Sequence, residues 1–198
     1  MTELDKILQF TDLLNRFRSV TRVVRIKGDD RMENDSEHSF QLAMLAWYII
    51  SSNKLENLNI DLILKYALVH DLVEVYAGDT FFYGSEQELG SKKDREAAAA
   101  ARIAAEFPNF SDLHLLIHQY ELRQDPESCF VYALDKVVPI LNIYLDNGRT
   151  WKENNILLEE LIRKKTDKVA LSPEIQPYFE QIIQILTSEA DKLFNKIN

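Results

Sequence analysis

The chain has 198 residues, 46% of them hydrophobic and 28% charged, with a net charge of −9. That is enough chain for one domain with a sizeable core, and its acidity argues against broad electrostatic capture of a nucleic-acid polymer. The single cysteine, Cys129, excludes an intrachain disulfide and fits a reducing cytoplasm. The first stretch, "MTELDKILQFTDLLNRF", has no signal-peptide pattern, and the apolar run "LAMLAWYII" is too short to span a bilayer, so no membrane partner is expected.

Helical periodicity dominates in chain order. "DKILQFTDLLNRF" places Ile7, Leu8, Phe10, Leu13, Leu14 and Phe17 on one side of a first helix. Thr21 to Asn34 mixes charges with Gly28, Asp29 and Asp30 and reads as a loop. Asp35 or Ser36 is placed to cap a second helix reaching about Ile50. Asn59 or Asp61 starts a third, which runs through "LILKYALVHDLVEVYA" and ends at Gly78. Residues 80–90 read as irregular and aromatic. "SKKDREAAAAARIAAEF" is a strong helix by propensity, and Ser111 caps "SDLHLLIHQYELR". Pro126 opens "PESCFVYALDKVVPILNIYL", which Asn147-Gly148 ends. Two further helices follow near 153–169 and 174–196, with Pro173 opening the last.

The expectation is one all-α domain over residues 1–198, a bundle of about seven to nine helices. Residues 153–198 would be C-terminal helices that complete the core or an interface. Trp47, Tyr48 and Trp151 read as packing residues, and "EELIRKKTDK" as a solvated face. His114 and His118 stand four apart in "HLLIH", but Leu115 occupies the position where a zinc-protease helix needs glutamate.

Polar residues on otherwise apolar helical faces carry the chemical signal. His38 precedes "FQLAMLAWYII", His70 and Asp71 lie inside the third helix, and Asp135 interrupts "FVYALDKVVPIL". A buried carboxylate is costly unless it is paired or binds a metal. Two histidines and two aspartates make a mixed nitrogen and oxygen set, without the thiolates of a structural zinc site. Glu74, four residues after His70 and three after Asp71, would share their helix face. There it is placed to orient or deprotonate an attacking water, or to protonate a leaving oxygen.

The order His, His-Asp, Asp resembles that of the HD domain, a superfamily of helical metal-dependent phosphohydrolases. It resembles in particular the branch that contains the YfbR-like 5′-deoxynucleotidases. The matching pieces are "RMENDSEHSFQLA", "LVHDLVEVYAGDTF", "KKDREAAAA", "PESCFVYALDKVVPIL" and "NGRTW", spread from about Phe17 to Trp151. The resemblance implies one divalent metal ion (Mn, Co, Fe, Ni, Zn or Mg) held by His38, His70, Asp71 and Asp135. It implies that Asp79 accepts from a sugar hydroxyl or helps protonate the leaving group. By register, Arg22 matches the arginine used against the substrate phosphate. It also implies a homodimer and a small phosphorylated substrate, first of all a 5′-(deoxy)nucleoside monophosphate.

Two departures fall where sugar and base would be read: Val23 replaces a tryptophan, and "TFFYG" lacks a proline. Other phosphoesters (a diester or a nucleotide polyphosphate) and a metal- or nucleotide-binding regulatory module with little turnover are the alternatives.

Overall fold

The first helix starts where the chain can satisfy its own free amides. In this computed structural model, which describes residues 2–196, Thr2 Oγ1 accepts from the Asp5 amide at 3.1 Å. The Asp5 carboxylate accepts from the Thr2 amide at 2.7 Å, completing a reciprocal cap on α1 (Glu3–Phe17). The next segment departs from the expected loop. β1 (Thr21–Arg25) and β2 (Met32–Asn34) pair antiparallel, with Thr21 opposite Asn34 and Arg25 opposite Met32. The β-branched run Thr21, Val23, Val24 favours extended backbone, and Gly28, at φ +74°, allows the connecting turn. Three to five residues per strand are too few to announce themselves by alternation.

Asn34, rather than Asp35 or Ser36, caps α2 (Asp35–Asn53). Its side chain accepts from the Glu37 amide, and the Glu37 carboxylate accepts from the Asn34 amide, both at 3.1 Å. Asn59 caps α3 (Ile60–Val69) as expected. The third helix does not continue regularly to Gly78. It stops at Val69, passes through a tightened stretch, and resumes as α4 (Glu74–Ala77). In that stretch Leu72 bonds to the Val69 carbonyl and Glu74 to the Asp71 carbonyl, three residues back rather than four. Ser85 caps α5 (Glu86–Glu106). Ser111 is the first residue of α6 (Ser111–Leu122) and makes no capping bond.

α7 (Pro126–Leu145), capped by Asp125, is the central helix. It packs on α2, α3, α6 and the N-terminal ribbon, and on the C-terminal helices α8 (Arg149–Glu153), α9 (Leu158–Val169) and α10 (Gln176–Ser188). Its length and hydropathy would suit a membrane span, but Phe130, Val131, Ala133, Leu134, Val138 and Ile140 are buried in the protein core. Pro177, not Pro173, lies in the first turn of α10. α11 (Ala190–Leu193) follows, and Phe194 then stacks on the buried Trp151, with ring centroids 4.7 Å apart. The described residues thus form eight helices of ten residues or more, three short ones and one ribbon.

Two expected packing residues are not packed: Trp47 is 53% exposed and Tyr48 68%. "NGRTW" has a structural duty. Arg149 holds the ribbon turn, bonding to the Ile26 carbonyl (3.1 Å), the Asp29 carbonyl and Asp30 Oδ1 (3.0 Å), while Asp146 accepts from both Arg149 and the Gly28 amide. This clamp ties β1 and β2 to the end of α7.

Candidate metal centre

Three parts of the fold deliver the singled-out side chains to one point. His38 stands one residue past the capping box of α2, His70 caps the end of α3 with Asp71 next to it, and Asp135 sits inside α7. One ligand-type atom from each lies within 4.8 Å of all the others. His38 Nε2 is 2.9 Å from Asp135 Oδ1. His70 Nε2 is 2.9 Å from Asp71 Oδ2 and 3.9 Å from Asp135 Oδ1.

The residues present fit a metal ion on chemical grounds. The 2.9 Å contact of His70 Nδ1 with the Ala67 carbonyl oxygen requires a proton on that nitrogen. A neutral ring then offers Nε2 as a lone pair facing the cluster. Nε2 is buried and has no hydrogen-bond partner; Asp71 approaches it without the alignment of a hydrogen bond. His38 Nδ1 lies 3.4 Å from Glu33 Oε1 behind it, a charge proximity without the alignment of a hydrogen bond. Two imidazole nitrogens, two carboxylates and no thiolate suit a hard or borderline divalent cation.

The electrostatics separate the carboxylates into two groups. Burial would raise Asp71, but its interactions with His70 and the Arg22 guanidinium hold it below the usual carboxylate range. Burial would raise Asp135 as well; the Lys136 ammonium, 2.5 Å away, and the His38 bond hold it low. Both therefore stay ionised, as metal ligands must. Glu74 goes the other way. It is 2% exposed, and burial, then Asp71 and Asp35, push it well above its ordinary value despite Lys92 at 3.5 Å. Its Oε2 is buried without a partner. Burial and the nearby Asp71 also raise Asp79, against the pull of Arg22.

A cavity of about 100 Å³ opens on this cluster, lined in part by Arg22, Asp71, Glu74, Asp79, Asp135 and Lys165. Asp79 faces the cavity from just beyond Gly78 and lies outside the group of four ligand-type atoms. Glu74 reaches the site across the tightened stretch rather than along one continuous helix face. Arg22 is engaged by three carboxylates: Nε is 3.1 Å from Glu33, and Nη1 lies 2.6 Å from Asp71 and 3.3 Å from Asp35. Its Nη2 donates no hydrogen bond among the described residues, whose bonds from Arg22 both come from Nη1. Glu37 pairs with Arg31 instead. Phe81, Phe82 and Tyr83 form a wall of the cavity, and Val23 lines it too.

Sequence reasoning gave no site role to Glu33, Asp35, Lys92, Lys136 or Lys165. The first four stand inside or beside the quoted motifs, so adjacency was the available signal. Lys165 had none: it lies in the run read as solvated, yet it is 5% exposed.

The HD domain profile matches residues 14–176. The human 5′-deoxynucleotidase HDDC2 is 30% identical over 138 residues, 68% of this chain and 65% of that protein. The Danio rerio 5′-deoxynucleotidase HDDC2 is 28% identical over 146 residues, 71% and 70% of the two chains. The chain thus spans slightly less than two-thirds of the human relative's length. Among solved structures, a predicted metal-dependent phosphohydrolase from Magnetospirillum magnetotacticum MS-1 superposes with a TM-score of 0.80 at 24% identity, over 97% of this chain and 96% of that one. The PH0347 protein from Pyrococcus horikoshii OT3 gives 0.63 at 23% identity, over 93% and 98%. At these identities the two structures establish a shared fold.

Proposed function

Because the chain belongs to the HD-domain family, we propose that it is a metal-dependent phosphohydrolase that releases phosphate from a small nucleotide, first of all a 5′-(deoxy)nucleoside monophosphate. The observation that carries this reading is the unpartnered, buried His70 Nε2, grouped with His38, Asp71 and Asp135 beside a cavity that Asp71, Asp135 and Glu74 line. His38, His70, Asp71 and Asp135 would hold the ion. When bound, a divalent ion supplies a Lewis acid for a phosphoryl oxygen and a means of acidifying water.

The chain's own residues do the rest. Arg22 fixes Asp71 through Nη1 and leaves Nη2 for a phosphate oxygen. Glu74, raised well above its ordinary value by burial and by the Asp71 and Asp35 charges, takes or gives the proton at its free Oε2. Asp79 and the Phe81–Tyr83 wall face the remainder of the substrate, Asp79 accepting from a sugar hydroxyl. The relatives named as 5′-deoxynucleotidases support the substrate class.

The same reading includes a homodimer in the cytoplasm. The free Cys129 supports a reducing compartment, and an apolar groove lined by Leu14, Phe40, Ala43, Leu68 and Phe110 supports a second copy as its cover.

The test is phosphate release from ribo- and deoxynucleoside 5′-monophosphates by chelator-treated protein resupplied with Mn²⁺, Co²⁺ or Mg²⁺. Metal-dependent release, abolished in Asp71→Ala, is expected. Metal binding without release from any monophosphate would overturn the substrate class and move diesters and polyphosphates forward.

A further inference from the structure

Four cationic side chains line the cavity: Arg22, Lys92, Lys136 and Lys165. Three are committed to carboxylates. Arg22 pairs with Asp71, Asp35 and Glu33, Lys92 with Glu74 and Glu96, and Lys136 with Asp135. Lys165, from α9, has no carboxylate within 4 Å among the described residues. Its Nζ donates to the Lys136 backbone carbonyl at 2.6 Å and lies 5.2 Å from the centre of the Phe82 ring. One hydrogen bond leaves donors of a three-donor ammonium unused. A buried cation without an opposing charge is expensive.

We propose that Lys165 is a substrate-binding residue, supplying the uncommitted positive charge that holds an oxygen of the substrate's phosphoryl group. This rests on the phosphohydrolase reading and adds to it the C-terminal region, which carried no assigned chemistry. The charges of the committed cations are balanced by the site's own carboxylates, although Arg22 still offers an Nη2 hydrogen to a phosphate oxygen; Lys165 adds a charge that no carboxylate within 4 Å balances. Burial, and then the Lys136 ammonium, push Lys165 down to about 7, so the protein itself withholds the counter-charge that a bound phosphate dianion would provide. Phe82 presents its ring to Lys136, Lys165 and Lys168, at 5.9, 5.2 and 5.4 Å, and so ties the aromatic wall to the same cations.

The experiment measures binding of inorganic phosphate by calorimetry to wild type, Lys165→Met and Lys165→Gln, each with and without Mn²⁺. Loss of a buried charged hydrogen bond to phosphate is expected to weaken binding by about tenfold or more. Mn²⁺ affinity should stay within about threefold, and folding should survive because an unpaired buried charge is removed. Where nucleotide turnover is present, KM should rise more than kcat falls. Equal phosphate affinity in the variants, or no phosphate binding by wild type at millimolar concentration, overturns the proposal. A wild type that binds phosphate through Lys165 but cleaves no nucleotide sinks the nucleotidase reading alone. A nucleotidase whose Lys165 variants keep wild-type KM and phosphate affinity sinks this proposal alone.

Discussion

Glu74 shows how much one buried carboxylate depends on its surroundings. One oxygen lies 3.5 Å from Lys92 and the other has no partner, while Asp71 and Asp35 disfavour its ionisation. A proton carrier is best placed when its affinity for the proton approaches the working pH, and these neighbours move Glu74 in that direction. Glu74→Gln keeps the shape and removes the ionisable carboxyl group. The expected outcome is a kcat lower by about 10²–10⁴-fold, with Mn²⁺ affinity by calorimetry within about threefold of wild type. A large loss of metal affinity would instead make Glu74 a ligand; it lies in a second carboxylate group with Asp35 and Asp71. Asp35 illustrates a different signal. It is fully buried, and burial followed by the Asp71 charge pushes it up to about 7. From the sequence it read only as a capping candidate.

At the scale of elements, the site depends on short connections. The α3–α4 stretch leaves the regular α-helical path just after His70, which keeps helical dihedrals (φ −57°, ψ −40°), and Leu72 and Glu74 bond three residues back. A regular helix would set His70 and Asp71 about 100° apart. No glycine or proline marks the break, so periodicity alone ran the helix through it. The α7–α8 junction is tighter still. Gly148 sits at φ +72°, and a Cβ there would lie 2.1 Å from the Leu193 carbonyl oxygen. Gly148→Ala therefore meets an unfavourable backbone conformation and a backbone contact together. We expect a loss of at least about 2 kcal/mol, read as a lower urea midpoint. Because Arg149 follows immediately and clamps the ribbon that carries Arg22 and Glu33, KM should rise as well. An unchanged midpoint would show that α11 yields its place without cost.

For the whole molecule, the distribution of exposed apolar side chains matters most. Phe40, Met44, Trp47 and Tyr48 on α2 are 46–68% exposed, and Leu4, Ile7 and Leu8 on α1 are 58–63% exposed. Spaced at 40, 44, 47 and 48, the α2 residues share one helix face, and an exposed apolar face of this kind normally marks an interaction surface. For the proposed homodimer, light scattering after size exclusion should give twice the 23.0 kDa chain mass. Phe40→Glu combined with Trp47→Glu should shift it to monomer, because a buried unpaired charge opposes association. A monomeric wild type at tens of micromolar would overturn the dimer, leaving the metal centre unaffected.

The helical class was legible because eight long helices each carry an apolar face and mostly conventional caps, which are local properties of the chain. The cluster of His38, His70, Asp71 and Asp135 was legible for a related reason: polar groups on apolar faces conflict with burial, and a conflict of that kind stands out in one dimension. What the tertiary structure decided involves partners far apart in sequence. The ribbon depends on Arg149, more than a hundred residues downstream. Trp47 is exposed and Trp151 buried because of what packs against each, since composition treats them alike. Lys165 looks solvated in a run of charges, and only the packing of α9 on α7 sets its ammonium against the Lys136 carbonyl and the cavity. Periodicity reports which face of a helix is apolar; which neighbour covers that face, and which charge is then left without a partner, is settled by three-dimensional packing.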